Sequence, residues 1–189
     1  MRPLTPEERA ALVTIARQAL EQHLLGRNVG GLPEIPASLT EPGAAFVTLR
    51  SGGGLRGCVG SVDATKALPD TVAHCAVAAA ASDPRFLPVS PAEFPLLTIE
   101  VSVLSPLQAL EDVAQLIPGT HGVCITAGQH RGILLPQVAA EQGWDRETFL
   151  DFACRKAHLA PDAWRHGAIL HIFTAEVFGE AEPRGAPEP

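Results

Sequence analysis

The sequence predicts an α+β domain, a largely antiparallel β-sheet flanked by helices. Three observations carry that expectation. Short runs rich in β-branched and aromatic residues come in pairs joined by glycine turns, the pattern of β-hairpins. Stretches with helical spacing separate those pairs. The strict strand-helix alternation of a doubly wound parallel sheet is missing, and no segment repeats.

Each element has its own local cause. Thr5 is placed to cap a first helix, Pro6 suits its first turn and Glu8 completes a capping box. Leu12, Ile15, Ala16, Ala19, Leu20 and Leu24 then recur at helical spacing until Gly26 ends the run. Residues 28–43 hold Gly30, Gly31, Pro33, Pro36 and Pro42 and read as extended chain or loop. A hairpin follows, with strands at 45–50 and 55–62 and a turn of Ser51, Gly52, Gly53 and Gly54. The alanine-rich stretch 68–82 predicts a helix, with Pro69 at its start and Asp70 beside the positive end of its dipole. Asp83-Pro84-Arg85-Phe86 breaks it. Residues 96–104 form the most regular strand, with Leu97, Ile99, Val101 and Val103 on one face and Thr98, Glu100 and Ser102 on the other. Beyond it the pattern predicts a helix at 111–117, a turn at 118–122 and a hairpin of 123–127 with 132–135 around Gly128. Pro136 opens a short helix, a longer one spans 146–157 with Phe149, Phe152 and Ala153 on one stripe, and a strand at 168–178 closes the domain. The polar, proline-rich residues 180–189 read as a disordered tail after a single domain at 1–179.

Composition excludes several functions. The chain has 189 residues, 46% hydrophobic, with 14 Lys+Arg against 21 Asp+Glu for a formal charge of −7. A chain of this length buries roughly 70% of its unfolded surface and needs no metal or disulfide staple. No apolar run approaches the ~20 residues of a membrane span, and the first residues read as a capped helix rather than a signal peptide, so the expected location is cytoplasmic. Lys66 and Lys156 are the only lysines and the arginines are scattered, which argues against nucleic-acid binding. Cys58, Cys75, Cys124 and Cys154 lie far apart without a C-x-x-C pair and are expected as free thiols. His121 and Cys124 have H-x-x-C spacing but no second pair completes a zinc site, so no metal is expected, and no cofactor is indicated.

Residues 52–60 carry the strongest chemical signal and a decoy. Gly52, Gly54 and Gly57 satisfy G-x-G-x-x-G, yet that fingerprint has to open a helix, whereas Cys58 continues a strand. Nor does the chain hold the strand lysine and H-R-D loop of a kinase. What remains is a cysteine bracketed by Gly57 and Gly60, which leave the backbone bare for close approach by a ligand or another strand. Arg56 shares a strand face with Cys58, and a guanidinium beside a thiol favours the thiolate; the other reading is a small core residue. Glu100 sits either on a solvated strand face or in a cleft that raises its proton affinity. Asp83 and Arg85 form either a structural corner or a binding rim. His121 is an exposed turn residue or a general acid/base. Lys156 suits a helix C-terminus for dipole reasons alone.

The run Leu55-Arg56-Gly57-Cys58-Val59-Gly60-Ser61 resembles the L-R-G-C-[IV]-G signature of the AMMECR-type family, also called AmmeMemoRadiSam system protein A. Phe46-Val47-Thr48-Leu49 precedes it as in that family. Residues 79–86, ending Asp83-Pro84-Arg85-Phe86, resemble A-A-x-x-D-x-R-F, and Ile99-Glu100-Val101-Ser102 resembles the I-E-V-S strand. Gly119-Thr120-His121-Gly122, Leu134-Leu135-Pro136-Gln137 and Cys154-x-Lys156-Ala157 follow in the family's order, so residues 5–179 are covered. His158 stands where the family commonly has glycine. The resemblance implies two unequal lobes around a cleft lined by residues 55–61. It also implies a place beside a Memo-like protein and a radical SAM protein as partners. Two functions follow as expectations. In one, the cleft binds a small molecule and acts on it, with Cys58, Glu100 and His121 as catalytic candidates and Arg56, Gly57, Gly60, Asp83, Arg85 and Lys156 as ligand-binding candidates. In the other, the chain is a non-catalytic adaptor that presents a substrate to those partners.

Overall fold

A computed structural model describes residues 2–27 and 35–180; residues 28–34 of the loop expected at 28–43 and residues 181–189 of the tail expected at 180–189 lie outside the described residues. The chain divides into two compact units of unequal size, Met1–Val103 with Glu176–Pro189, and Leu104–Ala175.

In the first unit, helix α1 (Pro6–Leu25) starts as its sequence dictates. The Thr5 hydroxyl accepts from the Glu8 amide, the Glu8 carboxylate accepts from the Thr5 amide, and Gly26 closes the helix at φ 64°. Strands β1 (Ala44–Ser51) and β2 (Gly54–Ser61) form the expected hairpin, turning through Gly52 and Gly53 at φ 57° and 78°. Helix α2 (Leu68–Ala81) and strand β3 (Leu97–Leu104) follow, and β8 (Ala175–Gly179) completes a four-stranded sheet of order β2-β1-β3-β8. One face of that sheet is the core. Ala45, Val47, Leu49, Leu97, Ile99, Val101 and Val103 pack with Leu12, Ala16 and Leu20 of α1 and Val72, Ala76 and Ala79 of α2. The small residues of α2 let it settle almost onto the backbone of β2, where a Cβ at Gly57 would stand 2.2 Å from the Ala79 carbonyl oxygen. Glu180, the last described residue, is still anchored: its carboxylate accepts from the Ile99 amide at 2.9 Å and pairs with Arg17.

The second unit is built on a sheet of order β4-β7-β5-β6, comprising β4 (Gln108–Ala109), β5 (Gly122–Ala127), β6 (His130–Leu134) and β7 (Ile169–Phe173). Helices α3 (Pro136–Gln142) and α4 (Arg146–Lys156) supply Ala139, Phe149, Leu150, Ala153 and Cys154 to its core, with Val123, Ile125 and Ile172 from the strands. Phe152 is only partly buried; it stacks on Trp144 with ring centroids 4.0 Å apart.

Three expectations are corrected. Residues 111–117 hold a single 3₁₀ turn at Val113–Gln115 instead of a helix, with the Asp112 carboxylate accepting from the Ala114 amide at 2.8 Å and so favouring a local turn. Just before that segment the two-residue strand β4, which no sequence pattern marks, pairs with β7. The single strand expected at 168–178 is two strands in different sheets, broken at Thr174, whose amide and carbonyl are taken by the Ser105 hydroxyl and amide at 2.9 Å each. Apolar alternation marks a strand but carries no information about its partner. At the end of α4 the glycine geometry persists without glycine: His158 takes φ 57°, and the amides of His158 and Leu159 return to the Arg155 and Cys154 carbonyls at 2.9 Å each.

Candidate functional site

Strand β2 is the edge of its sheet, so alternate amides and carbonyls point away from β1. At Cys58 both outward groups are taken. The amide donates to Asp83 Oδ2 at 2.8 Å, and the carbonyl accepts from Arg85 Nη2 at 3.4 Å. Arg85 also grips Asp83 through Nε at 2.9 Å and Nη2 at 2.7 Å, and its own amide donates to Asp83 Oδ1 at 3.1 Å. The loop after α2 thus stands in for a missing neighbouring strand. Asp83 is buried, and the Arg85 guanidinium, with further help from the Cys58 and Arg85 amides, holds its carboxyl well below the usual range against the opposing effect of burial. These contacts make Asp83 and Arg85 the structural corner, and that corner fixes the Cys58 peptide.

The Cys58 side chain lies on the sheet face away from the helices. Hairpin register sets Cys58 opposite Thr48, and the buried Thr48 hydroxyl donates to Cys58 Sγ at 3.2 Å. The Cys58 sulfur also contributes to holding the charge on Arg85. The four cysteines separate accordingly: Cys58 is half-buried, while Cys75, Cys124 and Cys154 are buried. Burial pushes the Cys75 thiol up to about 11 and raises Cys154 as well. A sulfur with a hydroxyl donor, an adjacent guanidinium and an immobilised peptide has what a nucleophile requires as charge redistributes during attack.

Arg56 shares this region but is already engaged. Its Nε and Nη2 meet the Glu93 carboxylate at 2.7 and 3.3 Å, and Nη1 donates to the Leu87 carbonyl at 3.0 Å. Arg56 and the Ser90 amide and hydroxyl bring Glu93 down to about 2. The Phe86 ring lies beneath both guanidinium groups, with the carbon of Arg56 at 5.8 Å and that of Arg85 at 5.6 Å from its centroid. The bare glycines are occupied from within the unit: α2 backbone covers Gly57, and at Gly60 a Cβ would meet the Phe46 ring at 2.1 Å.

Glu100 is half-buried on β3, whose Leu97, Ile99, Val101 and Val103 face the helical core, so it shares the sheet face of Thr48 and Cys58. With β1 between them, β2 and β3 stand about 9–10 Å apart, and the Glu100 carboxylate makes no hydrogen bond or ion pair among the described residues. His121 and Lys156 belong to the second unit. The Ile117 amide donates to His121 Nδ1 at 3.2 Å, so the His121 ring closes its own turn. Lys156 is the last residue of α4. A depression of about 460 Å³ in the second unit is lined by Val113, Ala114, Asp145, Arg146, Glu147, Trp164 and Arg165 and contains none of the candidate residues.

Three contributors escaped the sequence reading. Thr48 was not accessible, because counting back across the glycine turn puts Val47 opposite Cys58, and only the register shift between Leu49 and Arg50 brings Thr48 there. Glu93 belongs to an S-P-A-E capping box whose signal was present, but its pairing with Arg56, 37 residues away, has no local trace. Phe86 lies within the Asp83-Pro84-Arg85-Phe86 run, but nothing local to it announces that its ring backs two guanidinium groups.

Comparison with known proteins places this geometry among relatives. A family model described as AMMECR1 matches residues 13–178. A protein of Thermofilum pendens is 40% identical over 96% of this chain and 94% of its own length. One from Methanothermobacter thermautotrophicus is 42% identical over 94% of this chain and 97% of its own. The crystal structure of an uncharacterised protein from Pyrococcus horikoshii superposes with a TM-score of 0.90 at 36% identity, covering 97% of this chain and 96% of that one.

Proposed function

The chain belongs to the AMMECR1 family, and we propose that residues 55–61 of this member line a small-molecule site in which Cys58 is the reacting thiol. One observation carries the reading: Cys58 is the half-buried cysteine, and its sulfur accepts the Thr48 hydroxyl at 3.2 Å while Asp83 pins its peptide. Asp83, gripped by Arg85, acts as a positioning residue, and Glu100, on the same sheet face and without a hydrogen bond or ion pair among the described residues, is the carboxylate available for proton transfer through an intervening water or substrate group. The test is a panel of mildly electrophilic fragments incubated with the folded protein, with adducts read by intact mass against a Cys58→Ser control. The expected result is strong discrimination among fragments that a free thiol does not discriminate. A Cys58 that stays unmodified, or follows the reactivity order of a free thiol, overturns it.

The adaptor reading draws on a different observation. Leu87, whose carbonyl holds Arg56, is 84% exposed, and Leu55, next to Arg56, is 40% exposed, giving apolar contact surface beside the Cys58 segment. Under that reading Leu87→Asp abolishes capture of a Memo-like or radical SAM partner and Cys58→Ser leaves it intact; unchanged capture by Leu87→Asp contradicts it.

A further inference from the structure

The two arginines beside Cys58 differ in what they have left to give. All three nitrogens of Arg56 are committed, to the Glu93 carboxylate and the Leu87 carbonyl, and its side chain is only 18% exposed. Arg85 commits Nε and Nη2 to Asp83 and the Cys58 carbonyl, while Nη1 donates to no group among the described residues. Its side chain is 53% exposed. A guanidinium held rigidly on one edge, with two N–H donors free on another and a thiol next to it, is a preformed anion anchor.

From this we infer that the Cys58 site takes a singly charged, carboxylate-bearing electrophile, with Arg85 Nη1 holding the carboxylate. The inference rests on the reading of Cys58 as the reacting thiol and names the chemical class of its substrate. Charge balance selects the class. The two guanidiniums of Arg56 and Arg85 are offset by the two carboxylates of Glu93 and Asp83, and Glu100 adds a further carboxylate on the same sheet face, so the site has no surplus positive charge to neutralise a phosphate dianion. A monoanion gains a charge-assisted hydrogen bond from Nη1 without that surplus. Its carboxylate also anchors the molecule so that a neighbouring carbon faces the sulfur.

Iodoacetate and iodoacetamide make the test, since they differ in charge but undergo one reaction. The Cys58 thiolate attacks the methylene carbon, the carbon-iodine bond breaks and iodide leaves with the electron pair, while the carboxylate or amide is unchanged. The iodoacetate-to-iodoacetamide rate ratio at Cys58 is expected to exceed that of N-acetylcysteine amide by about tenfold, equivalent to ~1.4 kcal/mol, and to fall to the free-thiol ratio in Arg85→Gln. Acetate at matched ionic strength should slow iodoacetamide labelling of the wild-type protein, whereas acetamide and inorganic phosphate should not. That competition needs no variant and decides the matter if Arg85→Gln does not fold. A Cys58 inert to both reagents overturns the reacting-thiol reading and this inference with it. A Cys58 that reacts with both in the free-thiol ratio, or is protected by phosphate as well as by acetate, overturns the carboxylate inference alone. A raised ratio that survives in folded Arg85→Gln removes Arg85 as the anchor.

Discussion

Cys58 differs from the other three thiols in being half-buried, since buried Cys124 also has a guanidinium beside it, with Arg131 Nε donating to its sulfur at 3.3 Å, and each neighbour of Cys58 has a distinct physical effect. Thr48 supplies a hydrogen bond to the sulfur, Asp83 holds the peptide, and Arg85 presents positive charge. Thr48→Val keeps the β-branched shape and removes the donor. A hydrogen bond worth about 1 kcal/mol in the reacting state corresponds to roughly fivefold slower alkylation of Cys58. Stopped-flow or quenched labelling at fixed pH checks this, and an unchanged rate removes Thr48 from the site. At this scale the sequence was informative where chemistry is local. The cysteine, the glycines around it and the Asp83-Arg85 pair all lie within short motifs. The period-two rule that set Arg56 beside Cys58 takes no account of the register shift that leaves Arg56 without a partner on β1, and no local rule announces Glu93, so the engaged arginine looked free and the available one looked structural.

Among the elements, the β2 edge and the end of α4 show how closely sequence and backbone are matched. Gly57 is where α2 meets β2, and a methyl group there would run into the Ala79 carbonyl, which belongs to backbone and cannot turn aside. Gly57→Ala is expected to cost about 3 kcal/mol or more. Gly54→Ala, whose Cβ would find its nearest atom at 3.5 Å, is expected to stay within about 0.5 kcal/mol. Urea unfolding of the two variants makes the comparison, and equal losses would contradict the packing account. His158 runs the other way. It holds φ 57° on an exposed turn, so His158→Gly relieves left-handed strain and is expected to raise stability by about 0.5–1 kcal/mol after the larger chain entropy of glycine is offset; a lower urea midpoint contradicts this. Helix and hairpin boundaries were legible because caps, prolines and glycine turns are local devices. The split of 168–178 between two sheets was not, since β7 and β8 carry the same alternating apolar pattern and only their distant partners distinguish them.

At the scale of the whole molecule, the α+β class and the antiparallel hairpins were legible in the pattern of apolar runs, whereas the division into two cores was available only through family resemblance. Among the described residues no helix is long and apolar enough to cross a membrane. The charge of −7 gains a structural complement in carboxylates tied into ion pairs, Glu8 with Arg2, Asp83 with Arg85 and Glu93 with Arg56. Because Glu8 and Glu93 are lowered from 4.5 to about 2, the unfolded chain binds more protons than the folded one between those values. Their contribution is complete above pH 4.5 and is lost as pH falls through about 2. The urea midpoint should therefore decline over that window, and Glu93→Gln should make the decline shallower; an unaltered slope would remove the Arg56–Glu93 pair from the account. The central claim, that this fold singles out one thiol for chemistry, is tested most directly by pulse-labelling the native protein with iodoacetamide at neutral pH and mapping the adduct on all four cysteines over time. The account predicts early modification of Cys58, with Cys75, Cys124 and Cys154 modified only after unfolding. Labelling of Cys58 no faster than the three buried thiols would contradict it.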